Sequence, residues 1–113
     1  MLSVFHSWGR RLLAAPYSKR VQIKNEELGI DVVLVELLQH HIEKFTEKMK
    51  PNEAMPMPLY RGATIRSAIE SGWIHSPAWV VADVNNMKPK AVRWLAGELA
   101  NIYASSMDVS SFL

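Results

Sequence analysis

The segment Asp83–Tyr103, DVNNMKPKAVRWLAGELANIY, constrains the fold more than any other part of this chain. Val92, Leu95, Leu99 and Ile102 recur at steps of three and four, so they line one side of a helix. Ala91, Ala96 and Tyr103 widen that stripe, while Lys88, Lys90, Arg93, Glu98 and Asn101 fall mostly outside it. Asn86 is placed to cap the helix, and Pro89 sits in the first turn, where a missing N–H costs nothing. Such a stripe is stable only when another element covers it, so this helix predicts a packed core. Trp94 stands two positions from Val92, rotated by roughly 200° in a regular helix, and therefore lies off the stripe. A second element or a partner must cover it.

The remaining composition fits one small globular domain. A chain of 113 residues is of single-domain size, and a hydrophobic fraction of 49% argues against disorder. With no cysteine there is neither a disulfide framework nor a thiolate metal site, which fits a reducing, cytoplasmic setting. The net charge of +2 is unevenly spread. Residues 1–25 hold Arg10, Arg11, Lys19, Arg20 and Lys24 and no acid, so all 11 acidic residues lie beyond them. The basicity is thus an N-terminal property. No apolar run approaches the roughly 18 residues that would predict a membrane-spanning helix.

Residues 1–16 read as a basic amphipathic segment in which Phe5, Trp8 and Leu12 share a face and Pro16 ends it. A compact domain is expected over 17–104 and a flexible, serine-rich tail over 105–113. Val21 and Ile23 alternate with polar neighbours as a short strand, and Asn25 to Gly29 forms a turn. The next residues, 30–35, read either as a second strand, by their β-branching, or as a helix start capped by Asp31. Leu34, Leu37, Leu38, His41, Ile42, Phe45 and Met49 then predict a helix to about Lys50, stopped by Pro51. The proline-rich Pro51–Pro58 is expected to be extended and partly polyproline II. A third helix follows over Leu59–Glu70, with Gly72 as its left-handed end and Trp73 and Ile74 folding back. His75–Val84 reads as a connection, and Asp83 to Met87 as a single turn before the last helix.

No catalytic or metal-binding constellation is visible. His40 and His41 are adjacent on a helix and point about 100° apart, so they cannot share one ion. The expected arrangement puts His41 in the buried stripe and His40 on the surface. No nucleophile elbow surrounds a serine, the five glycines are scattered, and no phosphate-cradling loop exists. A non-enzymatic chain without cofactor or metal is the expectation.

Binding is the more fertile reading. Four tryptophans exceed what so small a core absorbs, and exposed tryptophan favours protein interfaces. Trp73, Trp79 and Trp94 are accordingly the candidate contacts for another protein or a second copy. The alternative is a nucleic-acid-binding regulator using Arg61, Arg66, Lys88, Lys90 and Arg93. Against it, some fifteen residues separate Gly72 from Lys88, whereas a helix-turn-helix uses a turn of three or four. A further alternative is a membrane-surface or organelle-targeted protein directed by residues 1–20.

Several stretches within residues 19–103 resemble small phage-encoded proteins of the tail assembly chaperone kind. They are Val21-Gln22-Ile23, the helix Leu34–Met49, Glu70-Ser71-Gly72-Trp73-Ile74, Asp83-Val84, Met87-Lys88-Pro89 and Val92-Arg93-Trp94-Leu95-Ala96. The resemblance implies a non-enzymatic assembly factor of the host cytoplasm. It would bind a tape-measure or other tail protein before assembly and be absent from the finished particle. No binding residue comes with it. The sequence as a whole therefore predicts a mainly helical α+β domain, three to four short helices with a small strand or hairpin near residues 20–35, that acts by protein binding.

Overall fold

The computed structural model describes residues 19–107, and the expectations for residues 1–16 and for the end of the tail lie outside this range. Within it the chain forms a small α+β domain: a three-stranded antiparallel sheet with helices packed against one face. Strand β1 spans Val21–Asn25 and β2 spans Ile30–Leu34, paired so that Ile23 faces Val32 and Asn25 faces Ile30. The tight connection is built by two local devices. The Asn25 side chain accepts from the Leu28 N–H, and Gly29 adopts φ +67, a left-handed conformation open to glycine at little cost. Alternation then sorts the hairpin's faces. Ile23, Ile30, Val32 and Leu34 are buried, while Gln22 donates across the outer face to Asp31 at 2.8 Å.

Residues 30–35 are thus resolved as strand up to Leu34, and Asp31 caps no helix. The first helix, α1, spans Gln39–Met49 and starts later than the apolar spacing from Leu34 predicts. The reason is tertiary. Leu34 pairs with both Val21 and Ile74, and the Val35 N–H donates to the Trp73 carbonyl at 2.9 Å. The sheet claims these backbone groups before a helix can. Pro51 does not end regular structure either, since Lys50–Asn52 forms a 3-10 turn. Pro56 has a polyproline-like conformation, φ −56 and ψ 148, as the residue preceding α2, Met57–Glu70. Pro58 fits in that helix's first turn because the N–H it lacks has no partner there.

Gly72 closes α2 with φ +79, as the sequence anticipates. The Gly72 N–H reaches the Ile69 carbonyl and the Trp73 N–H the Ala68 carbonyl. A third strand, β3, Ile74–Ser76, then joins the outer side of β2 with a register shift between Val33 and Leu34. Three residues are too few to show alternation, so the sequence presents this strand as plain connection. Residues Val81–Asn86 form a 3-10 turn that Asp83 stabilises by accepting from the Val80 N–H at 2.8 Å. The last helix, α3, spans Pro89–Ser106 and begins after Lys88, not after Asn86. Proline disfavours α geometry in its predecessor, and Met87 and Lys88 are both extended. At the other end the helix continues past Tyr103 into the stretch expected to be tail.

The core lies between sheet and helices. Leu95, Ala96 and Leu99 of α3, Ile65 and Ala68 of α2, and Phe45 and Met49 of α1 meet the inner face of the hairpin. Val92 and Ile102, at the margins of the α3 stripe, are half-buried. Trp73 is 1% exposed and meets Phe45 edge to face, with centroids 5.5 Å apart. Across the helices, Phe45 also meets the Tyr103 ring, and the Tyr103 hydroxyl hydrogen-bonds Thr46 at 2.6 Å. Trp73→Ala is expected to lower the unfolding free energy by about 3–5 kcal/mol, and Trp73→Phe by clearly less. Urea denaturation followed by far-ultraviolet circular dichroism checks both.

Candidate functional site

The first turns of α2 and α3 stand side by side with the Val81–Asn86 turn between them. They enclose a groove of about 600 Å³. Its floor is aliphatic: Pro58, Leu59, Val84, Met87, Pro89 and Val92. Its ionisable lining is entirely cationic: Arg61, Arg66, Lys90 and Arg93. Among the described residues none of the four is paired with a carboxylate; the two ion pairs there, Lys24–Glu26 and Lys48–Glu70, lie elsewhere. Neither helix carries an acid in its first turn. The positive ends of two helix dipoles therefore add to the potential of four cations.

Arg66 is the most organised of these side chains. Its Nη2 donates to the Asn85 side-chain oxygen at 2.7 Å, and its guanidinium lies back along α2 against Gly62. A Cβ at residue 62 would stand 3.1 Å from Nη1. Glycine there permits the close approach. The guanidinium is thus oriented by a neutral amide while its charge stays uncompensated, and other N–H groups remain to grip a ligand.

The groove gathers Arg61, Arg66, Lys90 and Arg93, which the sequence separates by up to thirty-two positions (93 − 61). Lys88 does not join them. It borders a smaller apolar cleft of about 250 Å³ under the β1–β2 turn, with Leu28, Ile30, Trp79 and Ala91. The tryptophans are likewise separated. Trp73 is enclosed in the core, which corrects its assignment as a docking residue, because a side chain 1% exposed offers a partner nothing. Trp79 is half-buried in the smaller cleft. Trp94 is half-buried in a shallow depression with Asn25, Glu27 and Leu28, so the hairpin turn is the element that partly covers it. The apolar side chains most open to solvent are others, among them Leu59 at 55%. Leu59 follows proline at a helix start, and its exposure is not legible from spacing alone.

The histidines divide as expected, His41 buried and His40 exposed. His41 Nδ1 accepts from the Leu38 N–H at 3.1 Å and so does the work of a cap for α1, whose N-cap residue, Leu38, has no polar side chain. Burial, and then the neighbouring His40 ring 3.8 Å away, hold the His41 imidazole below its ordinary value of 6.5. Among the described residues no three His, Asp or Glu side chains converge to hold a metal ion, and no helix is long and apolar enough to cross a membrane. Comparison with protein-family models, curated proteins and solved structures finds no match to this chain.

The His41 cap makes stability depend on pH. The folded state keeps the imidazole neutral, since a proton on Nδ1 would abolish the bond to Leu38. Stability is therefore full above 6.5 and declines as the pH falls through it, where the unfolded chain takes up the proton first. Urea midpoints measured from pH 8 to pH 5 are expected to fall along this course. His41→Gln, whose side-chain oxygen also accepts from Leu38, should flatten it.

Proposed function

We propose that this chain is a non-catalytic protein-binding factor, and that it holds a segment of a partner chain in the groove between α2 and α3. The carrying observation is the aliphatic floor, in which Leu59 is 55% exposed, inside a concavity of about 600 Å³. Concave apolar surface rimmed by polar groups is the usual ground of peptide recognition, because burying the floor supplies the driving force and the rim orients the chain. Trp79 and Trp94 serve as secondary contacts, half-buried in two depressions, of which the first shares Met87 with the groove and the second Lys90 and Arg93.

A tail assembly chaperone is the most concrete form of this reading, resting on the stretches of residues 19–103 described above. In that form the occupant would be a segment of a tape-measure or other tail protein, met in the host cytoplasm. A second reading, nucleic-acid binding, draws on the convergence of Arg61, Arg66, Lys90 and Arg93 on one rim. It is the weaker of the two because no aromatic side chain lines the groove to stack a base.

A photo-crosslinking residue tests the proposal when placed at Leu59 and, as a control, at Gln22 on the outer sheet face. Illumination in native lysate is expected to give discrete protein adducts from position 59 and none from position 22. The same adducts from both positions, or nucleic-acid adducts from position 59, would defeat it.

A further inference from the structure

We propose that the segment taken by this groove is acidic and amphipathic, with carboxylates along one side and apolar side chains along the other. This rests on the protein-binding reading and narrows it to one partner chemistry. Every ionisable group lining the groove is a cation, so charge complementarity selects an anionic partner. Among the described residues none of the four is in a direct ion pair: Arg66 is held by the neutral Asn85, and the first turns of both helices lack acids. The carboxylates Glu27 and Glu98 line the adjoining depression that Lys90 and Arg93 also border. An arginine positioned in this way offers a planar fork that fits a carboxylate in bidentate fashion. The aliphatic floor sets the second requirement. Leu59, Val84, Met87 and Val92 give phosphates and bases nothing to pair or stack with, but they accept the apolar side of a peptide. Charge brings the segment in and fixes its register, and burial of its apolar side holds it.

The architecture around Gly62 gives this proposal a distinctive lever. Gly62→Ala adds a methyl that would stand 3.1 Å from Arg66 Nη1, so the guanidinium must give by a few tenths of an ångström, yet in a helix interior alanine is favoured over glycine. The variant should fold at least as stably as the wild type and bind less well. A merely structural role for Gly62 would give the opposite.

The probe is a fluorescent synthetic peptide of fourteen residues, Leu at helical i, i+3 and i+4 spacing with Glu elsewhere, read by anisotropy against the full chain. Controls are the same peptide with every Glu changed to Gln, and a fourteen-nucleotide oligo(dT). The Glu peptide is expected to bind at least about tenfold more tightly than the Gln peptide, and to weaken by a similar factor in Arg66→Gln. Arg66→Lys should not restore it, because an ammonium lacks the fork. Gly62→Ala should weaken it without lowering the thermal midpoint. Leu59→Asp should weaken both peptides.

Equal binding of the Glu and Gln peptides would overturn the proposal, as would Arg66→Gln and Gly62→Ala both binding like wild type. Tighter binding of oligo(dT) than of the Glu peptide, with the same dependence on Arg66, would replace it with the nucleic-acid reading. If the Glu peptide fails while Leu59 still crosslinks to protein, partner binding stands and the acidic chemistry falls. If both fail, the protein-binding reading falls with it.

Discussion

Trp73 is the joint on which the domain turns. Its backbone closes two elements at once: the N–H reaches back to Ala68 to finish α2, and the carbonyl receives the Val35 N–H where β2 ends. Its ring, enclosed and set edge-on to Phe45, ties α1 to that same point. A residue that fixes a helix end, a strand end and a helix face leaves the chain little freedom nearby. The left-handed Gly72 immediately before it is what allows the reversal. From there β3 leads off along β2, and the chain crosses to reach α3.

That joint sets where α2 lies, and α2 in turn sets the groove. The helix buries Ala63, Thr64, Ile65, Ser67 and Ala68. With so much of its circumference engaged, Arg61 and Arg66 are left along the margin beside α3. On the other wall, proline delays the start of α3 to residue 89, which puts Lys90 in its first turn and Arg93 at the start of its second. Val92, at the edge of the α3 stripe, becomes part of the floor and is for that reason only half-buried. The groove is a by-product of two helix starts that cannot close over one another. Its concentration of positive charge is harder to account for by packing, since a fold gains nothing by gathering four cations from two helices around one groove.

Much of the fold was legible in the sequence because its signals are local. The β1 alternation, the Gly72 end of α2 and the α3 stripe each follow from a few neighbouring residues and the geometry they favour. The errors came where distant partners overrode local preference. Leu34 continues an apolar helical spacing, but pairing on both sides holds it in a strand. Residues 74–76 are strand only because β2 has a free edge there. Trp73 reads as a docking residue from composition, which gives the number of tryptophans and not which of them a core encloses. The candidate site was legible only in part: its arginines and lysines were recognisable as a set, whereas Leu59, Asn85 and Gly62 carry no sequence signal for their place beside them.

By itself, then, the sequence determined the class of the protein: one small helical α+β unit with a well-marked last helix. Period and turn chemistry act over a few residues, so they survive without knowledge of the fold. Tertiary structure alone decided which cations share a surface, which tryptophan is unavailable and where apolar side chains stay open. These depend on which helix ends meet. That is set by the joint at Trp73 and the proline before α3, acting across distances that no spacing rule spans.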